Sequence, residues 1–328
     1  MNRSNTTNLA PGRTLRGPAD FLRLLHQLAE LTKVRLVTFV AGTAAVGYLL
    51  GAGAAWSPAL LAWTVLGTGL AAAGAMALNE WMEAGRDALM ERTRLRPIPA
   101  REISPRHAAL LGAATAAAGL LVLALTTNLL TAALGATIIG LYLLVYTPLK
   151  SRSPLCTLAG AVCGAIPPMM GWSSATGALG FGAWLLATVL FLWQIPHFLA
   201  LAWLYRQDYE RGGFRMLPLI DRSGRLTSRV ATLYAAALIP VALSASIAGI
   251  AGWIYGGGSL VLGLFLVGFG VTLVRTPGEV PARRLFLASL AYLPLLLALL
   301  VADRQPAFAG VATAQRAPAT AAAAVFAR

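Results

Sequence analysis

Nine apolar stretches dominate the chain, at roughly 35–54, 59–79, 108–126, 129–147, 156–173, 182–204, 230–251, 258–275 and 285–302. A helix that crosses the hydrocarbon of a bilayer needs about 20 mostly apolar residues. Backbone groups in lipid must be satisfied internally, so each stretch predicts a helix. The two-residue alternation of a membrane barrel is absent. Composition agrees, with 58% hydrophobic and only 12% charged residues, where soluble domains carry about a quarter. A soluble enzyme and a disordered chain are both excluded. The expected fold class is an all-α polytopic integral membrane protein with nine transmembrane helices.

The charges are unevenly placed. Lys and Arg number 26 against 12 Asp and Glu, a net +14. Such an excess suggests either a nucleic-acid surface or basic membrane loops. The basic residues cluster before the first stretch and in alternate connections, while the connections near 55–58, 127–128, 174–181 and 252–257 hold none. This is the positive-inside pattern. It predicts a cytoplasmic N-terminus and a C-terminus on the opposite side, and leaves no reason to expect nucleic acid as a partner. Residues 1–33 lack an apolar h-region, so no cleaved signal peptide is expected. They read as a partly disordered cytoplasmic segment, followed by one membrane domain over 34–303 and an Ala-rich tail over 304–328.

Two smaller features read as packing. Cys156 and Cys163 lie about 10 Å apart on one helix, too far for a disulfide. Trp56, Trp172, Trp184 and Trp253 fall near span ends, where an aromatic belt is expected.

The acids are few, and their positions carry the functional argument. Asn79, Glu83 and Asp87 are spaced i, i+4, i+8, a single helix stripe, with Glu80 beside it. Carboxylates at this spacing repel unless a cation lies between them. Mg²⁺ takes oxygen ligands and bridges carboxylates to substrate phosphates. Arg92, Arg94 and Arg96 follow immediately, and guanidinium forks match phosphate oxygens. Two readings stay open: a metal and diphosphate site, or a solvated helix whose acids pair with nearby Arg. A second cluster, Tyr205-Arg206-Gln207-Asp208-Tyr209, lies at the same end and offers Asp208 as a further metal ligand or as an ordinary loop residue. Lys150 in Tyr146-Thr147-Pro148-Leu149-Lys150 is a phosphate contact or a topology marker. His197 lies inside the sixth stretch, where an ionisable group is costly and usually faces a cavity. A metal or porphyrin ligand, a proton carrier and an interhelical hydrogen bond are all open for it. If the helix continues, His197 and Asp208 share a face about 16 Å apart.

These motifs together resemble the membrane-embedded prenyltransferase superfamily. Asn79-x3-Glu83-x3-Asp87 is similar to its first acidic motif, and Asp208 falls at the second. More narrowly, Met90-x-Arg92-Thr93-x-x-Arg96-Pro97, Tyr146-Thr147-Pro148-Leu149-Lys150, Pro167-Pro168-Met169-Met170-Gly171-Trp172 and Trp193-Gln194-Ile195-Pro196-His197-Phe198 resemble the protoheme IX farnesyltransferase family. Asp208-Tyr209-x-x-Gly212-Gly213 and Leu31-Thr32-Lys33-x-Arg35 do so too. Glu83 stands where Asp is usual, Val34 where Pro is usual, and no acid lies four residues from Asp208.

The resemblance implies nine helices around a central cavity in the cell inner membrane. It implies farnesyl diphosphate and protoheme IX as substrates, Mg²⁺ as cofactor, and transfer of the farnesyl group to a heme vinyl group with addition of water. Asn79, Glu83, Asp87 and Asp208 would hold the metal. Lys33, Arg35, Arg92, Arg96, Tyr146, Lys150 and His197 would bind substrate. A heme A synthase partner is also implied. A prenyltransferase for an aromatic or quinone precursor would share the acids and differ in its acceptor pocket. A transporter would want more polarity at mid-membrane than this chain has.

Overall fold

The computed structural model describes residues 18–305. The expectations for residues 1–17 and 306–328 lie outside the described residues. Within the range, α1 (Pro18–Leu31), α2 (Val34–Ala52), α3 (Pro58–Asp87) and α4 (Pro105–Thr126) come first. Next are α5 (Leu129–Leu149), α6 (Cys156–Thr176) and α7 (Phe181–Leu204). Two short turns, α8 (Arg206–Arg211) and α9 (Leu217–Ile220), lead to α10 (Arg225–Ile247), α11 (Trp253–Arg275) and α12 (Glu279–Ala302). Eight of these segments are long and apolar enough to cross a membrane. The ninth expected span is α6, which forms as a helix but is less apolar, because Ser, Thr and two Pro residues interrupt it. It affords them by lying inside the bundle, with Ile166–Ala175 all buried.

Local chemistry sets the helix ends. Ser57 caps α3 through its Oγ and Pro58 starts it. Ser104 and Pro105 open α4 the same way, and Asn128 caps α5. Packing then sets the arrangement. α2 packs on α6, α3 on α4, and α7 lies between α6 and the α10–α12 group, while α12 returns to α2. A Cβ on Gly47 would strike the Pro168 carbonyl, and one on Gly171 the Ala44 carbonyl. Glycine is therefore required for the close α2–α6 approach.

Three expectations change. Residues 18–31, expected to be partly disordered, form a helix tied to the α3–α4 connection by Arg23 and Gln27, which donate to Glu102 at 3.2 Å each. Its Phe21, Leu22 and Leu25 remain exposed. Trp172 is no belt residue: it is 2% exposed and packs against Gly182. Trp56, Trp184 and Trp253 are exposed as expected. Finally, the sixth span ends at Leu204, and Tyr205 breaks the helix before Arg206. His197 and Asp208 therefore do not share one continuous helix.

Candidate active site

Thirty residues make α3 about 45 Å long, against about 30 Å of hydrocarbon. Its last turns therefore extend past the apolar layer, and these turns carry Asn79, Glu80, Glu83 and Asp87. None of the four is solvated: they are 1%, 0%, 5% and 1% exposed. Burial on this scale requires partners, so the solvated-helix reading of the stripe fails.

The partners come from three directions. Lys33 donates to Asn79 Oδ1 at 2.9 Å from the α1–α2 junction. It does so from a left-handed backbone, φ 51°, a conformation that costs a non-glycine residue about 1 kcal/mol or more. Lys150, just past α5, sits 2.8 Å and 2.9 Å from the two Glu83 oxygens. Arg96 pairs with Asp87 at 2.7 Å. Burial, with the nearby Arg96 and Lys150 charges, pushes the Lys33 ammonium down to about 7. Burial also works against the Lys150 ammonium, but the Glu83 carboxylate outweighs it and raises its pKa above the usual lysine value. Glu80 lies beside these pairs. Neither of its oxygens has a hydrogen-bond partner of good geometry among the described residues, and Arg96 and Lys33 are the cations acting on it.

Tyr142 and Thr147 complete the ring around Asn79. Thr147 accepts from Asn79 Nδ2 at 3.0 Å, and Tyr142 donates to Oδ1 at 3.3 Å. They converge because Leu141–Tyr146 is a π-helical segment. Pro148 follows, with no N–H to return to an earlier carbonyl. The wider turn lets Thr147 Oγ1 donate to Tyr142 O at 2.8 Å and stacks Tyr146 on Tyr142, 5.2 Å between rings. Lys150 lies 4.7 Å over the Tyr146 ring. Sequence reasoning singled out Tyr146 and missed Tyr142 and Thr147. A π-turn beside a functional cluster is a common pattern, but Pro148 was its only sequence trace.

Tyr142 also lines a partly open cavity of about 410 Å³ between α2, α3, α5, α6, α7 and α12. That volume lies within the range of about 300–1,000 Å³ typical of ligand sites. Its walls are mostly apolar, with Phe39, Met76 and Trp193 among them, and Arg35 contributes to the lining as an exposed side chain. His197 stands on the wall, stacked on Trp193 at 5.0 Å, with Nδ1 2.9 Å from Ser289 Oγ. The acid end and the central cavity thus meet at Tyr142.

The second cluster is placed differently. Asp208 accepts from the backbone N–H groups of Glu91 and Arg92 at 3.2 Å each, and Arg211 lies 3.6 Å away. The Arg92 guanidinium covers the Tyr205 ring at 4.9 Å. Asp208 and Arg92 therefore fix the loop after α3, rather than joining the Asn79–Asp87 stripe. Among the described residues, no three His, Cys, Asp or Glu side chains converge as a ready-made metal cage. The donor set still suits Mg²⁺. It is all oxygen, the buried Glu80 carboxylate has only the Ile98 backbone and the more distant Arg96 and Lys33 charges to stabilise it among the described residues, and this ion commonly binds one or two carboxylates plus phosphates and waters.

Comparison with known proteins agrees with this geometry. The chain is 42% identical over 292 residues to the protoheme IX farnesyltransferase of Koribacter versatilis, covering 86% of this chain and 94% of that one. A solved structure of digeranylgeranylglyceryl phosphate synthase superposes with a TM-score of 0.73 at 14% identity, over 86% of this chain and 98% of that chain. A UbiA homolog from Archaeoglobus fulgidus, bound to GPP and Mg²⁺, superposes with a TM-score of 0.58 at 16% identity, over 84% and 99%. Residues 40–291 match the family model of the UbiA prenyltransferases, so the chain is an integral membrane protein that belongs to the UbiA prenyltransferase family.

Proposed function

We propose that this chain transfers the farnesyl group of farnesyl diphosphate to a vinyl group of protoheme IX, with addition of water, giving heme O and diphosphate. One observation carries the reading. A buried acid stripe, surrounded by Lys33, Lys150 and Arg96, meets an apolar cavity at Tyr142. A charged head on a long apolar chain needs both environments side by side. The protoheme IX farnesyltransferase named above supports protoheme as the acceptor.

Asn79, Glu83 and Asp87, with Glu80 beside them, would hold Mg²⁺ once Lys33, Lys150 and Arg96 turn from them to the diphosphate, and the ion would supply positive charge to that leaving group. The GPP and Mg²⁺ bound by the Archaeoglobus homolog support this. Lys33, Lys150 and Arg96 add their own charges where leaving-group charge develops. The allylic C–O bond breaks, the electron pair leaves with the diphosphate, and the apolar wall keeps bulk water from the carbocation. The vinyl group attacks the farnesyl carbon, water adds to the resulting cation, and one proton leaves. Tyr146 steadies the head group through Lys150, Arg35 guides substrate at the cavity, and His197 meets the porphyrin. Asp208 and Arg92 hold the loop that carries Arg96, and Asp208 reaches a metal only by releasing the Glu91 and Arg92 amides. The basic connections support an inner-membrane protein whose site faces the cytoplasm. A heme A synthase partner belongs to the same reading.

The test replaces Asp87 by Asn and assays purified protein with Mg²⁺ and both substrates. We expect turnover to fall by at least about a hundredfold. Near-normal turnover would remove Asp87 from the metal site.

A further inference from the structure

Ser289 is wholly buried in α12 and faces two rings of α7. Its backbone carbonyl accepts from Trp193 Nε1 at 2.7 Å. Its hydroxyl donates to the Phe286 carbonyl at 2.7 Å, and that same oxygen lies 2.9 Å from His197 Nδ1. A serine hydroxyl has one proton. The Phe286 carbonyl can only accept and is the nearer partner, 2.7 Å against 2.9 Å, so the geometry favours the hydroxyl proton on it. With the proton there, Nδ1 donates to Ser289 Oγ; a hydroxyl turned to the ring would instead make Nδ1 the acceptor, and the tautomer separates the two arrangements. A neutral imidazole has one N–H, so with Nδ1 donating the lone pair remains on Nε2. His197 lines the cavity, keeps 9% of its surface open, and has no other hydrogen bond among the described residues.

We propose that Ser289 is a positioning residue for the acceptor half of the site: it fixes His197 as the Nδ1–H tautomer and leaves the Nε2 lone pair to the cavity. The same residue anchors Trp193, whose ring stacks on the imidazole, while Phe286 packs 4.9 Å away. The backbone of Ser289 therefore helps set the ring plane through Trp193, and its side chain sets the tautomer. A lone-pair end suits an acceptor bearing a Lewis-acid centre, such as porphyrin iron. It cannot donate to the carbonyl of a quinone precursor. The choice of protoheme rests on the proposed function, whereas the tautomer rests on the hydrogen-bond chain alone. Metal-binding histidines commonly have the other ring nitrogen fixed in this way.

The test uses the full chain in lipid nanodiscs with ¹⁵N-labelled histidine. Only three histidines are present, and His197→Asn identifies the signal of interest. We expect the proton on Nδ1 in the wild-type chain. Ser289→Ala should lose that preference and weaken protoheme binding, read from the Soret band, by about tenfold. Ser289→Thr, which keeps the hydroxyl, should restore both. Farnesyl diphosphate binding should not change in either variant. A wild-type proton on Nε2 would overturn the proposal, as would Ser289→Ala with an unchanged tautomer and affinity. If Ser289→Ala does not fold, the wild-type spectrum decides alone. A chain with the Nδ1–H tautomer that makes no heme O would refute the proposed activity and leave this inference standing. Heme O formation with the Nε2–H tautomer would do the reverse.

Discussion

Replacing Lys150 by Met strips the Glu83 carboxylate of its cation. The two groups meet at 2.8 Å, with side chains 12% and 6% exposed. At that separation, unit charges attract by about 6 kcal/mol for an effective dielectric of about 20. Desolvation of both ions consumes much of this, so the intact pair contributes little net stability. The single variant is different, because it leaves a buried charge unpaired, at a cost of about 3–5 kcal/mol. Adding Glu83→Gln removes the stranded charge, and the double variant should regain at least about half of that loss. Activity should not return, since the proposed function uses Glu83 for the metal and Lys150 for the diphosphate. The assay is reversible unfolding in mixed micelles, followed by circular dichroism, for wild type, both single variants and the double variant. Heme O formation is measured on the same samples. A double variant no more stable than Lys150→Met, or a coupling energy under about 0.5 kcal/mol, would refute the claim that these two charges depend on each other.

Other perturbations probe separate parts of the account. Gly171→Ala pushes a methyl group into the Ala44 carbonyl and should cost about 1–3 kcal/mol by the same unfolding assay. Gly85→Ala is the control, since a Cβ there meets nothing within 4 Å, and it should gain about 1 kcal/mol. Asp221 accepts from Thr227 N at 2.7 Å and Ser223 Oγ at 2.8 Å, and although burial opposes it, these bonds hold its carboxyl below the usual range. A depressed pKa gives stability that is present above the unfolded value and lost as pH falls through the folded one. Asp221→Ala should therefore cost about 0.5–1 kcal/mol at neutral pH, and the gap to wild type should close below about pH 4. A gap that persists at low pH would point to packing instead.

The architecture was legible because lipid leaves so few options. Apolar length alone located the spans, and α6 fell short in hydropathy only because the bundle, rather than lipid, surrounds it. The α3 stripe was legible because Asn79, Glu83 and Asp87 share a helix period, and Lys150 and Arg96 because charge is scarce in this chain. Burial of the stripe was not legible, since it depends on Lys33, Thr147 and Lys150 arriving from other helices. Tyr142 was hidden by a π-turn that shifts the expected helical spacing. Ser289 had only the weak signal of a small hydroxyl residue in an apolar helix. Asp208 is the opposite case: its motif was plain in the sequence, whereas its partners, the Glu91 and Arg92 amides, come from a loop more than a hundred residues away.

The proposed activity is tested most directly by expressing this chain in cells that lack their own heme O synthase and weighing the extracted hemes. We expect a heme heavier than protoheme by one farnesyl group and one water, absent when Asp87→Asn replaces the wild type. Unmodified protoheme as the only heme from cells that make the intact protein would contradict it.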